Sequence, residues 1–467
     1  MTSDASTLPA DDPEARAVVP PRDEPRPLRW WREFGAPPRI MGLDVARALA
    51  VLGMVGAHIG SAPEFDFARP ETWSGIVHGR SSILFAVLAG ISIALMTGRT
   101  RIPEPERMPG IRLGLIGRGA AIFIIGIALE LLGTPIAVIL TVYGLLYVAA
   151  IPFLRWRPSS LLIASGVLAV LGPPALAGLQ AVTLGASGPG VGLVVFGTYP
   201  ITVWMAFVLA GMAIGRMPLD RVRTAAWMLL VGVVISVAGY GLGALGAAIS
   251  TPIDAPSSSS SGSLPGTDPR SDEMIIGVPA DGLDFSGMLC DDYQDGFISC
   301  YPESAGEVII TDEDGVEVIP EGEGEQPSEG GWSAYPRLFA EQGPENMIVA
   351  QLFAVEPHSG GVAEVLGSGG FAVAVIALCL LASRPLRWAL VPLAALGSMP
   401  LSAYAGHIVA IVLIAGPQAF LSSAADWGWF SIWLVITTTL WAMFLGRGPL
   451  ERLVGRAAKA MAAVPKG

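Results

Sequence analysis

The sequence predicts an all-α polytopic membrane protein of about ten transmembrane helices, with a large acidic extracytoplasmic insert between the seventh and eighth. Three observations predict this. Hydrophobic residues make up 52% of the 467 residues and charged residues only 15%, and the mean hydropathy of +0.57 is far from that of an ordinary soluble domain. Several apolar runs reach the roughly 20 residues needed to cross a hydrocarbon core. The charges are also segregated: residues 251–361 hold 22 of the 40 acidic residues and only two basic ones, Arg270 and Arg337. The whole chain carries −12, yet outside this block it is net positive. Such a division orients a protein in a bilayer, and it is not a nucleic-acid footprint.

Taken in order, residues 1–38 are rich in Pro, Asp, Glu and Arg and lack apolar runs, which predicts a disordered cytoplasmic tail. The first apolar run begins directly after Arg39 and is long enough to be retained as a span rather than cleaved as a signal. Ten spans follow from hydropathy, at 41–60, 80–98, 112–132, 135–154, 159–182, 195–215, 223–249, 362–383, 388–416 and 428–446. The ninth is too long for one straight helix, so Pro392 and Pro400 are expected to break it into an interfacial piece and a shorter crossing helix. Spans one to seven make a 39–250 unit, and spans eight to ten with the C-terminal tail make a 362–467 unit. With both termini inside, 23 of the 28 basic residues fall on cytoplasmic segments, and only Arg69, Arg80, Arg270 and Arg337 fall outside. This is the asymmetry of a multi-pass cell-membrane protein.

The 251–361 insert opens on PSSSSSGSLPGTDP, a flexible-linker composition. Two short β-prone runs follow, at 306–311 and 315–320. Cys290 and Cys300, with nine residues between them, lie on the oxidising side and are expected to form a disulfide. Cys379 sits alone in the eighth span, as a packing residue.

The first span, RIMGLDVARALAVLGMVGAHIG, carries the ionisable groups around which the chain is organised. Such groups inside a span are costly unless they face protein or a wet cavity. On a helix, Arg47 falls about 60° and His58 about 40° from Asp44, so the three share one stripe, with Val51 and Met54 between them. Asp44 and His58 stand roughly 21 Å apart along the axis. Asp44 and Arg47 at i, i+3 can form a locking ion pair, or Arg47 can join Arg112 and Arg118 in a cationic mouth for phosphates. His58 and His78 are the candidate bases, since an imidazole titrates near neutrality. Arg80, Tyr404 and His407 are candidate walls of a substrate site, the last two sharing a helix face at i, i+3. A lone buried histidine is more often a packing residue. No Walker loop, HExxH, CxxC or nucleophile elbow occurs, and no metal site is expected.

These residues, together with W-x-G at Trp73–Gly75 and the Phe85–Gly90 stretch, resemble the transmembrane acyltransferases related to heparan-α-glucosaminide N-acetyltransferase. Leu401–His407 is similar to the L-[ST]-x-Y-x-x-H element of related bacterial membrane proteins. The similarity is best over 39–120 and 388–410. It implies transfer of an acyl group, in that family acetyl, from cytoplasmic acetyl-CoA or another acyl-CoA to an extracytoplasmic glycan or lipid-linked acceptor. The pattern departs at one point. The eukaryotic enzymes carry a catalytic histidine shortly before W-x-G, where this chain has Pro70 or Glu71, and an asparagine where it has His58. The base role then falls to His58 or His78, or the chemistry differs. Two other readings stay open: a carrier or exporter of a small anionic or lipid-linked solute, and a non-catalytic receptor or assembly factor acting through the acidic insert. Oligomeric state is open, a homo-oligomer included.

Overall fold

The computed structural model describes residues 26–59, 69–186, 188–250, 288–293, 297–302, 331–419, 421 and 423–463. The chain divides into two compact units, one formed by Met1–Thr251 with Arg337–Gly467 and the other by Pro252–Pro336. The first is helical: α1 (Arg26–Glu33), α2 (Met41–Ile59), α3 (Arg80–Met96), α4 (Met108–Glu130), α5 (Leu140–Ala149), α6 (Pro158–Val182), the short turn α7 (Pro189–Val191), α8 (Ile201–Gly215) and α9 (Val222–Ser250). After the second unit come α10 (Tyr335–Glu341), α11 (Pro344–Phe353), α12 (Val362–Ala382), α13 (Arg387–Gly397), α14 (Pro400–Ala415), α15 (Ala424–Phe444) and α16 (Pro449–Ala462). Among the described residues, seven single helices are long and apolar enough to cross a membrane, and two bent pairs bring the number to nine. This is a polytopic all-α membrane protein.

The expected fourth span, 135–154, is only partly α-helical, although it runs from Thr141, bonded to Glu130 at one end of the bundle, to Leu154, whose carbonyl accepts from Arg216 at the other. Only Leu140–Ala149 is α-helical there, and ten residues rise about 15 Å, half the hydrocarbon thickness. Pro135 precedes the helix and Pro152 sits in the 3-10 turn Ile151–Phe153 that follows it, so backbone donors are missing on both sides. The ninth expected span does break, with α13 and α14 bent by 68°. Pro400 stands in the first turn of α14, where its missing N–H costs nothing, while Pro392 stays inside α13. The sixth also bends, by 41°, between Phe196 and Ile201.

The helices approach closely because small residues stand where they cross. A Cβ on Gly90 of α3 would come within 2.1 Å of the Val208 carbonyl oxygen of α8, and one on Gly211 of α8 within 2.1 Å of the Val87 carbonyl oxygen. Gly232 and Gly239 of α9 meet α12 backbone in the same way. The tightest crossing is between α13 and α2, where a Cβ on Gly397 would lie 1.7 Å from the Asp44 carbonyl oxygen. Thus α2 sits at the centre, with Leu43, Val51, Val55 and Ile59 all sealed from solvent. Residues 1–38, expected to be a tail, contain α1, whose Trp30 packs on Ala395, Met399 and Ala442. The segment 344–353, expected within the insert, forms α11, which packs on α6, α9 and α12.

In the second unit, β1 (Met288–Tyr293) and β2 (Phe297–Pro302) pair antiparallel, with Cys290 directly opposite Cys300 in the ladder. The β-prone runs at 306–311 and 315–320 lie outside the described residues.

Two outcomes follow from this packing. Gly397→Ala is expected to lower the unfolding temperature in detergent, at a cost of about 1–3 kcal/mol from overpacking. Gly406→Ala, with nothing within 4 Å of the added carbon, should be neutral or stabilising. If Cys290 and Cys300 are bridged, thiol titration of the denatured protein should find one reactive cysteine before reduction and three after it.

Candidate active site

At the end of α2 near Met41, a buried carboxylate gathers two guanidiniums. Asp44, only 6% exposed at its side chain, accepts from Arg39 Nε at 2.5 Å and from an Arg47 terminal nitrogen at 2.7 Å. The second terminal nitrogen of Arg47 donates to Ser92 Oγ on α3 at 3.0 Å. Arg39 also lies over the Phe34 ring, 4.7 Å from its centroid. The ion pair is real, and Arg47 nonetheless keeps one edge toward open space.

That space is a cavity of about 470 Å³ between α2, α3, α4, α5 and α14. It is lined by Arg47, Ser92 and Arg118 at one end, and by Phe85, Leu140 and Tyr143 at the other. A wider cavity of about 840 Å³, lined by Arg29, Trp30 and Arg39, shares Arg118, Arg447 and Glu451 with it. The two form a basic mouth leading into a narrower, more apolar slot. Glu451 of α16 shapes the junction: its carboxylate accepts from the backbone N–H groups of Leu401 at 2.8 Å and Ser402 at 3.1 Å. It caps α14, as an anion at a helix N-terminus does.

The slot stops short of a buried imidazole pair, neither ring of which lines it. Leu401 lines it, and Tyr404 and His407 lie about 4.5 and 9 Å further along the same helix. The Tyr404 hydroxyl faces the Ile139 backbone N–H but has no well-formed hydrogen bond. His407, fully buried, places Nε2 2.9 Å from His58 Nδ1. The two rings stack with centroids 5.2 Å apart, and Tyr404 stands edge-on to both.

The remaining two histidines lie at the same end of the bundle. His78 and His358 approach edge-on at 6.1 Å, and both are within electrostatic reach of His58. His358 also meets Tyr199, at 5.4 Å, which packs against Trp204 and through it on Tyr143. Arg80 donates to Tyr240 Oη at 2.6 Å, and Tyr240 is hydrogen-bonded to Ser368, so it ties α3 to α9 and α12. Burial first, and His78 second, hold the His358 imidazole down at about 4.

Of the residues expected to form a site, Asp44 and Arg47 pair, and Arg47 with Arg118 lines the slot. His58, His407 and Tyr404 form one cluster, which His78 approaches from the outside. Arg112 is exposed and lines none of the cavities described above. The stripe on α2 is not a continuous polar seam: Val51 and Met54 are sealed, and the open path runs beside the helix, in the slot. Sequence reasoning passed over Arg447, Glu451, Trp30 and His358. An acidic residue two positions after Pro449 in an otherwise basic tail (GRGPLERLVGR) was the available signal for Glu451. His358 carried none.

Fold and site together define a polytopic membrane protein with a cationic mouth and a buried imidazole cluster at the other end of the bundle. Residues 39–241, less than half of the chain, match the family described as heparan-alpha-glucosaminide N-acetyltransferase, catalytic. Neither curated proteins nor solved structures gave a significant match. The matched segment runs from the start of α2 into α9, and so contributes His58, His78, Arg47 and Arg118. It leaves out α1, the His358 loop, α14 and α16.

The depressed His358 pKa makes stability depend on pH. The unfolded chain binds a proton near the ordinary value of about 6.5, whereas the folded chain refuses it until about 4. This contribution is therefore complete above pH 6.5 and is lost as pH falls toward and below 4, on the order of 3 kcal/mol in all. Unfolding temperatures at pH 7 and pH 5 should differ more for the wild type than for His358→Asn.

Proposed function

We propose that the chain is an integral membrane acyltransferase that passes an acyl group, acetyl in the related family, from an acyl-CoA to an acceptor at the histidine end. The joined cavities carry this reading: a wide, arginine-rich mouth narrowing to a slot that stops at Phe85, Leu140 and Tyr143. Arg29, Arg118 and Arg447 suit the phosphates of a CoA. The slot of about 470 Å³ suits its narrow pantetheine arm. Stopping at Leu140 and Tyr143, it has the form of a cofactor slot rather than of a carrier's through-path. The positive-inside rule puts the basic mouth and both termini in the cytoplasm of a cell-membrane protein. The acceptor, a glycan or lipid-linked hydroxyl or amine, then lies on the far side.

The imidazole pair supplies the base. The Ala403 and Tyr404 carbonyls lie by the His407 ring; with Nε2 turned to His58, the proton on His407 is assigned to Nδ1, which forms no hydrogen bond of its own among the described residues. His407 Nε2 then accepts from His58 Nδ1–H, and His58 Nε2 keeps its lone pair. A bound acyl-CoA supplies an acyl carbon with a thiolate leaving group. The acceptor's oxygen or nitrogen bonds to that carbon while its proton passes to His58 Nε2. The carbon–sulfur bond breaks, and the same proton returns to sulfur. Tyr404, beside both rings, holds the pair in register.

Purified protein given radiolabelled acetyl-CoA should bind it and, in membranes, pass label to an acceptor. His58→Ala is expected to slow transfer about 10²–10⁴-fold, and Arg118→Ala to raise the KM for acetyl-CoA. No CoA binding by the wild type would end this reading.

A further inference from the structure

His358 lies outside the matched segment and far from the first span in sequence, yet three features of its setting are those of a functional imidazole. Its backbone takes a φ of +67°, a conformation that costs a non-glycine residue on the order of 1 kcal/mol and persists only when the surroundings impose it. Glu364 imposes it. One carboxylate oxygen accepts from His358 N–H at 2.8 Å, and the other from Gly360 N–H at 2.8 Å and Ser359 Oγ at 3.2 Å. Glu364 is itself buried, at 3% exposure, so a desolvated carboxylate is committed to holding one short loop. The ring so placed stands against His78 and Tyr199, and its Nδ1 is buried without a hydrogen-bond partner among the described residues. Buried polar atoms are nearly always satisfied. A strained backbone, a carboxylate clamp and an imidazole nitrogen left open, all at the end of the bundle where His58 lies, are not needed for packing.

The geometry points to His358 as an acceptor-positioning imidazole, whose Nδ1 takes its hydrogen-bond partner from the hydroxyl or amine that is to be acylated. It rests on the acyl-transfer reading above. In this arrangement His58 moves the proton and His358, edge-on to His78, fixes where the acceptor sits. Glu364 sets the loop and touches no substrate.

The positive φ offers a direct separation of roles. His358→Gly suits the backbone conformation, so the variant should unfold at or above the wild-type temperature. In membrane vesicles from expressing cells, which contain the cell's own acceptor, acetyl-CoA-dependent release of CoA thiol should fall about tenfold or more. The KM for acetyl-CoA should stay unchanged, and added imidazole should restore part of the rate. Wild-type vesicles that release no CoA beyond the empty-vector control would defeat the acyl-transfer reading itself. Wild-type release matched by an equally active His358→Gly, or a loss of rate that imidazole does not restore, would overturn the role of His358 alone.

Discussion

A carboxylate placed in the first turn of a membrane-spanning helix cannot be left alone, and the requirement to satisfy Asp44 shapes much of this bundle. Its two oxygens are taken by Arg39 and Arg47. The one guanidinium is pinned further by the Phe34 ring and the other by Ser92 of α3. Removing one partner of such a pair typically costs about 3–5 kcal/mol, because the charge left behind has no water. Around the same residue α13 crosses so closely that only glycine fits at position 397. The ion pair and the crossing together bring α2, α3 and α13 to one point, and the slot opens beside that point.

The charges and the imidazoles are kept apart for a physical reason. Guanidiniums belong where water and phosphate can reach them, and the wide mouth between α1, α15 and α16 provides this. Neutral imidazoles tolerate burial better than charged ones, and His58 Nδ1 and His407 Nε2 satisfy one another across two helices, while His407 Nδ1 has no hydrogen-bond partner among the described residues. Between the two ends lies an aromatic frame. Tyr143 donates its hydroxyl to the Ser82 carbonyl and meets Phe85 and Trp204 edge-on. A frame of interlocked rings is stiff, and stiffness is what a site needs if it is to hold reacting groups within a fraction of an ångström.

Several site residues come from parts of the chain beyond the matched family segment. Glu451 caps α14 and so fixes the direction in which Tyr404 and His407 project. Trp30, Arg29 and Arg447 widen the mouth. His358 closes the opposite end through a loop held by Glu364. The matched segment thus supplies the central helices, while the flanking segments supply the capping, the entrance and the outer wall.

The sequence by itself determined the class of the protein and much of its span pattern, because crossing hydrocarbon demands long apolar runs whatever their neighbours are. It marked Asp44, Arg47 and His58 as anomalous, because charge and imidazole are expensive in that setting. It also placed the break at Pro400. Only the tertiary structure decided that 135–154 folds as a half-length helix, since hydropathy averages over prolines that local hydrogen bonding cannot ignore. Only the tertiary structure joined His58 to His407 across 349 residues of chain, brought His358 beside His78, and turned Glu451 from a tail charge into a helix cap. Those relations depend on which helix faces meet, and meeting is set by steric fit between distant segments, which no local run of residues encodes.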